Sequence, residues 1–323
     1  MDSKRVVAVL GGCGFIGSAL VRRLVGTPEL HVVVVDNLSG GFAHLLPDDP
    51  CVELVIADAR DLNLSDVGSP STVFYLCGQP FVPDSYANPE KTHDTNVRAL
   101  SEFLAKNQAM TSPWKLVYAS SGEVYGDTPE GCADESWPLT TLPANPYVES
   151  RVVAERTLFS YELPSVALTV LRLFNVVGPG ATHPYLVPEM IRQIEHGRLV
   201  SHGDLSAIRD FVWLGDTVDA FVAAAHRHGS ETAVFNVSTG RGWAAGDVVD
   251  RLVRITAARD VQLAYDQRRD MPHRPHRLVG CAQKIERELQ WRATTSLDTA
   301  LRRTVEMYRR SGAWPFEAAT SHR

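Results

Sequence analysis

Residues 6–25, VVAVLGGCGFIGSALVRRLV, run from a β-branched strand pattern through a glycine turn into an amphipathic helix pattern, with Gly11, Gly14 and Gly17 at three-residue intervals. A strand that feeds a helix through so tight a turn sets up a parallel β–α–β crossover, and the first half of the chain repeats the rhythm. Short β-branched runs at 6–10, 31–35, 52–56, 72–76, 115–120 and 167–173 alternate with amphipathic stretches at 15–25, 89–108 and 146–161. Apolar strands separated by helices are buried on both faces, which predicts an α/β fold built on a doubly wound parallel sheet. After NVVGPG at 175–180 the pattern changes to helices, short strands and loops rich in Pro, Gly and His. The expected division is a sheet domain over 1–174 and a smaller region mainly over 175–323, with a segment near 212–238 returning to the sheet.

Glycines in such a turn let the backbone approach a pyrophosphate, which then rests on the N-terminus of the helix opened by Phe15, Ile16 and Gly17. This is the Rossmann arrangement. Asp36 ends the next strand, where a carboxylate holds the adenosine ribose hydroxyls and repels a 2′-phosphate, so NAD is expected rather than NADP. Asn37, Asp58, Ala59 and Leu76, at the following strand ends, complete the candidate cofactor contacts. Asp58 serves equally well as a plain helix cap.

The rest of the composition narrows the function. A formal net charge of -6 and a pI near 6.0 give no basic field for nucleic acid. The five cysteines, Cys13, Cys51, Cys77, Cys132 and Cys281, are odd in number, widely spaced and form no C-x-x-C pair. They read as reduced, mostly buried thiols, with neither a disulfide framework nor a zinc or other metal site. No apolar run approaches the roughly 18 residues of a membrane span, and the N-terminus enters a strand pattern at once, so a cytoplasmic location without a membrane partner is expected.

The stretch NPYVESRVVAE, 145–155, places Tyr147 four residues before Arg151 on one helix face. A cation beside a phenol stabilises the phenolate, which suits a general base that takes a proton from an alcohol as hydride leaves. Together with GGCGFIG, VDNLSGG, ADARD, VFYLCGQPFVPDSYANPEKTHDTNV, VYASSGEVYGD, LRLFNVVGPG, IRDFVWLGDTVDAF and FNVSTGRG, it makes the chain resemble the extended short-chain dehydrogenase/reductases that modify nucleotide sugars. The resemblance runs through nearly the whole length. It implies tightly held NAD and oxidation at the sugar C4, with Ser121 and Tyr147 on the C4 oxygen and Tyr147 as base. Arg151 stands where the family carries lysine and would also meet the nicotinamide ribose. The resemblance further implies that Asn96 orients the site and that Asn175, Arg209 and Arg277 meet the diphosphate or sugar; PHRPHRLV adds Arg274. Arginines suit phosphates because their planar fork binds two oxygens at once.

Glu123, two residues after Ser121, resembles the carboxylate of the family's 4,6-dehydratases and glucuronate decarboxylases. Gly122 between them offers no acid to protonate a departing hydroxyl, whereas a C4 ketone makes a C6 carboxylate a β-keto acid that loses carbon dioxide without one. The leading expectation is an NAD-dependent UDP-glucuronate decarboxylase giving UDP-4-keto-pentose or UDP-xylose. A nucleotide-sugar 4-epimerase, a 4,6-dehydratase and a silent NAD-binding sensor are the alternatives. The family also implies a homodimer through helices at 97–108 and 148–159, with Val97, Leu100, Leu104, Val152, Val153 and Leu158 on the pairing face.

Overall fold

The structure, a computed structural model, describes residues 4–128, 131–161, 165–271 and 275–312. In chain order the strands are β1 (Arg5–Leu10), β2 (Leu30–Asp36), β3 (Val52–Ile56), β4 (Thr72–Tyr75), β5 (Trp114–Ser121), β6 (Val166–Leu173), β7 (Asn175–Val177), β8 (Leu199–His202), β9 (Ile208–Trp213), β10 (Ala233–Val237), β11 (Gly242–Ala244), β12 (Gln262–Tyr265) and β13 (Arg277–Leu278). The helices are α1 (Phe15–Val25), α2 (Val82–Ala87), α3 (Pro89–His93), α4 (Ala99–Asn107), α5 (Pro146–Ser160), α6 (Leu186–His196), α7 (Leu214–His226), α8 (Ala245–Thr256), α9 (Gln283–Leu289) and α10 (Leu297–Ser311).

Seven strands form one parallel sheet in the order β3-β2-β1-β4-β5-β6-β10. The order reverses direction between β1 and β4, and that switch point opens a crevice at the C-terminal ends of the strands. β1 shows why the sheet is buried on both sides. Val7 and Val9 face one apolar layer with Leu20 and Phe221 of α1 and α7, while Ala8 and Leu10 face the other with Leu100, Phe103 and Leu158 of α4 and α5. Each fully buried large apolar side chain contributes about 1.5–3 kcal/mol. A third core, with Ile191, Val249 and Leu301, lies under α6, α8 and α10. Late in the chain, α7 packs on the sheet and β10 pairs with β6.

Three readings change. The single helix expected at 89–108 is interrupted: α3 passes into a π-helical turn at Asp94–Arg98 before α4 begins. Five of the six side chains assigned to a pairing face, Val97, Leu100, Leu104, Val152 and Leu158, are buried in the chain's own core. They carry no argument for a dimer, because α5 is covered on most of its circumference. The cysteines are also not all free. Cys132 and Cys281 form a disulfide with Cα atoms 5.2 Å apart, well inside the usual range. Their separation of 149 residues hid the pairing, which the fold makes by bridging Ala133 to Gly280.

Candidate active site

The glycine turn is shaped by close approach. Gly11 has φ of 80°, and a Cβ at Gly17 would lie 2.2 Å from the Gly11 carbonyl oxygen. Gly14 is less crowded, because a Cβ there would meet the Gly11 carbonyl oxygen at 3.4 Å, an ordinary van der Waals contact. Gly14 is also the N-cap of α1 and provides no side-chain cap, so the first-turn N–H groups around Phe15, Ile16 and Gly17 are available to an anion. Asp36 ends β2 with its carboxylate accepting from the backbone N–H of Cys13 at 2.9 Å and Leu38 at 2.8 Å. It latches the glycine turn to the next strand. Burial and then Asp36 push the Cys13 thiol up to about 12, so it stays protonated.

Asn37 donates to Asp58 at 3.2 Å. Asp58 accepts from the Arg60 N–H and pairs with its Nε at 3.2 Å. It therefore caps the short turn containing Ala59 and borders the crevice at the same time. Leu76 follows β4 directly, and its backbone bounds the space beside Gly11.

Across the switch point, β5 ends in Ser121, whose Oγ accepts from the Glu123 N–H at 3.2 Å and so caps the tight turn Gly122–Tyr125. Helix α5 starts where Asn145 accepts from the Val148 N–H at 3.0 Å and Pro146 takes the first position. This places Tyr147 in the first turn and Arg151 one turn deeper. Asn96, from the π-helical turn, accepts from the Gln79 N–H at 2.6 Å and donates to Ser150 Oγ at 2.8 Å. Ser150 Oγ in turn donates to the Tyr147 carbonyl at 2.7 Å. Asn96 thus ties the β4 loop to the turn of α5 that carries the tyrosine, and a π-helical turn often marks such a site.

Arg151 is buried at 6% exposure. Its Nη1 donates to Tyr118 Oη at 3.2 Å and to the Ala119 carbonyl at 3.4 Å, and its Cζ lies 5.4 Å from the centre of the Tyr147 ring. Burial alone would weaken its hold on the proton, but the phenols of Tyr147 and Tyr118 outweigh that and push its pKa above the usual arginine value. Its Nε is buried with no hydrogen-bond partner among the described residues. An orphan donor of this kind fits a dinucleotide ribose, as the uncapped N-terminus of α1 fits its phosphates.

Among the described residues none donates to the Glu123 carboxylate, which is only partly covered. A Cβ at Gly122 would stand 2.8–3.0 Å from the Phe174 ring, so no side chain fits there. The smaller region contributes the second wall. Asn175 opens β7, which pairs with β9, and Arg209 and Arg277 lie on the adjacent strands β9 and β13. Arg277 has a buried Nη1 without a hydrogen-bond partner among the described residues. Arg209 is buried and donates to the carbonyls of Ile208, Pro275 and His276, so in this structure it braces the loop before β13. Arg274 lies outside the described residues.

Phe81, His183 and Tyr185 escaped the sequence reading. Their rings lie 5.2–5.8 Å apart and join the loop after β4 to the loop before α6. The Tyr185 phenol is pushed up by burial first, with Tyr147 adding to the shift and Arg151 opposing it, so it lies near both. The only sequence signal was an aromatic residue shortly after GPG, in a segment with no periodicity.

A family model described as GDP-mannose 4,6 dehydratase matches residues 8–304. The UDP-glucose 4-epimerase of Lacticaseibacillus casei is 30% identical over 315 residues, covering 88% of this chain and 91% of that protein. A trifunctional UDP-glucose 4,6-dehydratase/UDP-4-keto-6-deoxy-D-glucose 3,5-epimerase/UDP-4-keto-L-rhamnose-reductase of Arabidopsis thaliana is 26% identical over 324 residues, and this chain spans only 48% of its length. Among solved structures, MoeE5 in complex with UDP-glucuronic acid and NAD superposes with a TM-score of 0.84 at 29% identity, covering 94% of this chain and 99% of that one. With the family model running through both walls of the crevice, the chain belongs to the GDP-mannose 4,6-dehydratase family, among the extended short-chain dehydrogenase/reductases that act on nucleotide sugars.

Proposed function

We propose that this chain binds NAD and UDP-glucuronate, oxidises the sugar at C4 with Tyr147 as base, and releases carbon dioxide from C6. The product is a UDP-4-keto-pentose, or UDP-xylose where C4 is reduced again before release. NAD is supported by Asp36 at the end of β2, by the uncapped N-terminus of α1 behind the glycine turn, and by likeness to a structure solved with NAD. When bound, it supplies the hydride acceptor. Tyr147 takes the C4 hydroxyl proton, Ser121 donates a hydrogen bond to the same oxygen, and the buried Arg151 guanidinium stands 5.4 Å from the centre of the tyrosine ring. The C5–C6 bond of the β-keto acid then breaks, its electron pair enters an enolate across C4 and C5, and a proton returns to C5. Glu123, without a hydrogen-bond donor to its carboxylate among the described residues, serves that last exchange directly or through water. Arg277 offers an unpartnered donor to a substrate anion.

The observation that carries this choice is Gly122. With the Phe174 ring where a side chain would stand, no acid can protonate a leaving C6 hydroxyl from that position, which removes support for 4,6-dehydration and leaves Glu123 with the simpler task. A second reading, 4-epimerisation of a UDP-sugar, is favoured by the likeness to UDP-glucose 4-epimerases at 30% and 27% identity. The two part in one experiment: the protein is incubated with NAD and UDP-glucose, UDP-galactose or UDP-glucuronate, and product masses are measured. Carbon dioxide lost from UDP-glucuronate supports decarboxylation, and interconversion without loss of mass supports epimerisation. No change in any of them favours a silent NAD-binding protein. The reading keeps pairing of two copies along α4 and α5, now on the partly exposed Val153 and the exposed Phe159; a monomer by light scattering at micromolar concentration removes it.

A further inference from the structure

The second terminal nitrogen of Arg151 occupies a notch that exists only because residue 78 is glycine. A Cβ at Gly78 would lie 2.6 Å from Arg151 Nη2 and 3.2 Å from its Cζ. It would also lie 2.9 Å from Asn96 Oδ1. The nitrogen contact falls about 0.8 Å short of an ordinary van der Waals approach at 3.4 Å.

Little around the notch can move to relieve that contact. The Asn96 amide is held by the Gln79 N–H at 2.6 Å, the Gln79 carbonyl at 3.1 Å and Ser150 Oγ at 2.8 Å. Val152, Ala154 and Glu155 of α5 are buried in the packed interior, which resists shifts. The guanidinium is the one group left to give way, and its bonds to Tyr118 and Ala119 would go with it.

We propose that Gly78 is a positioning residue for the base. By omitting a Cβ, it seats the forked cation of Arg151 under Tyr147 and lets an arginine stand where a lysine would need no notch. Lysine ends in one compact nitrogen, whereas the planar fork carries two side by side, so the space requirement is particular to arginine. The proposal rests on the reading of Tyr147 as base, because Gly78 acts on the reaction only through the cation beside that phenol.

The test is a cycle of four proteins: wild type, Gly78→Ala, Arg151→Lys, and the double variant. Misplacing a group at a reacting centre by about 1 Å costs on the order of a hundredfold, so Gly78→Ala should lower kcat by about 10- to 100-fold while leaving KM for the nucleotide sugar within about twofold. In the Arg151→Lys background the same alanine should cost several-fold less, because the guanidinium contact is gone and only the Asn96 Oδ1 contact and the backbone strain at Gly78, with φ of 158°, remain. That non-additivity is the signature of a coupled pair. An equal loss in both backgrounds, or no loss with Arg151 present, overturns the proposal.

Melting temperatures of the four proteins without cofactor, and their NAD affinities by titration, are read alongside. Alanine should lower both by more when Arg151 is present than in the Arg151→Lys background, where only the Asn96 contact and the backbone strain at Gly78 remain. If wild type turns over no nucleotide sugar, the proposed function fails while the pair still stands or falls on those two measurements.

Discussion

Breaking the Cys132–Cys281 disulfide should cost stability that can be worked from the fold. The cross-link joins residues 149 apart in sequence. In the chain-entropy account, a closed loop of that length removes about 17 cal/mol/K from the unfolded chain, or roughly 5 kcal/mol at 25 °C. With an unfolding entropy near 2.1 cal/mol/K per residue, this chain shifts its melting temperature by about 7 °C for that amount. The assay is a thermal melt with and without reductant, for wild type and for Cys132→Ser/Cys281→Ser. Reductant should lower the wild type to the level of the double variant and leave the variant unmoved. Thiol titration of denatured wild type prepared without reductant should count three thiols, those of Cys13, Cys51 and Cys77. Five thiols and a reductant-insensitive melt would refute the pairing. The cross-link also reaches towards the chemistry: Asn236 Nδ2 donates to the carbonyls of Ala133 and Cys281, and Asn236 Oδ1 accepts from Tyr125, two residues after Glu123.

Tyr147→Phe should lower kcat by about 10²- to 10⁴-fold, the usual worth of a general base, with an unchanged circular dichroism spectrum; retention of full activity would remove the tyrosine from the mechanism. Arg172 and Glu155 form a buried pair at 2.7 Å, with side chains 5% and 0% exposed. Arg172→Met should destabilise the fold by about 3–5 kcal/mol in urea because it strands a buried carboxylate, and a loss under about 1 kcal/mol would mean the pair is dispensable. Burial pushes the Asp210 carboxyl up to about 6, against hydrogen bonds from Thr239, Gly240 and Gly280 that pull it down. The folded state therefore holds this proton more tightly than the unfolded chain. The resulting stability is full below about pH 4 and is lost as pH rises through 6, up to roughly 3 kcal/mol in all. Asp210→Asn should flatten that slope in urea unfolding between pH 4 and 7, and an unaltered slope excludes Asp210 as its source.

The parallel sheet was legible because both of its faces are buried. β-Branched runs such as HVVVV at 31–35 fall within β2, which is buried along nearly its whole length, and the stretch at 15–25 coincides with α1. The positions of Gly11, Asp36 and Asp58 were legible for a related reason: strand ends in a doubly wound sheet converge at the switch point, so their places at the ends of β1, β2 and β3 follow from local pattern alone. The smaller region was harder to read. β7, β11 and β13 have two or three residues each, too few for a period-two signal. Contacts between distant segments left no local trace either, whether Cys132 with Cys281 or Phe81 with His183 and Tyr185. The buried pairing residues misled for a different reason, since helical spacing marks an apolar face without saying what covers it. Arg209 shows a similar limit, because a motif names the residue while its hydrogen bonds to the loop before β13 are a matter of tertiary structure.

The most direct test of C4 oxidation followed by decarboxylation is to mix NAD-loaded wild type with UDP-glucuronate and follow absorbance at about 340 nm, the NADH band, together with trapped carbon dioxide in the same sample. Absorbance should rise as C4 is oxidised and carbon dioxide should then appear, both abolished in Tyr147→Phe, with carbon dioxide alone suppressed in Glu123→Gln. An absorbance change with no carbon dioxide and a product of unchanged mass would contradict decarboxylation in favour of epimerisation, and no change in either signal would contradict C4 oxidation of this sugar altogether.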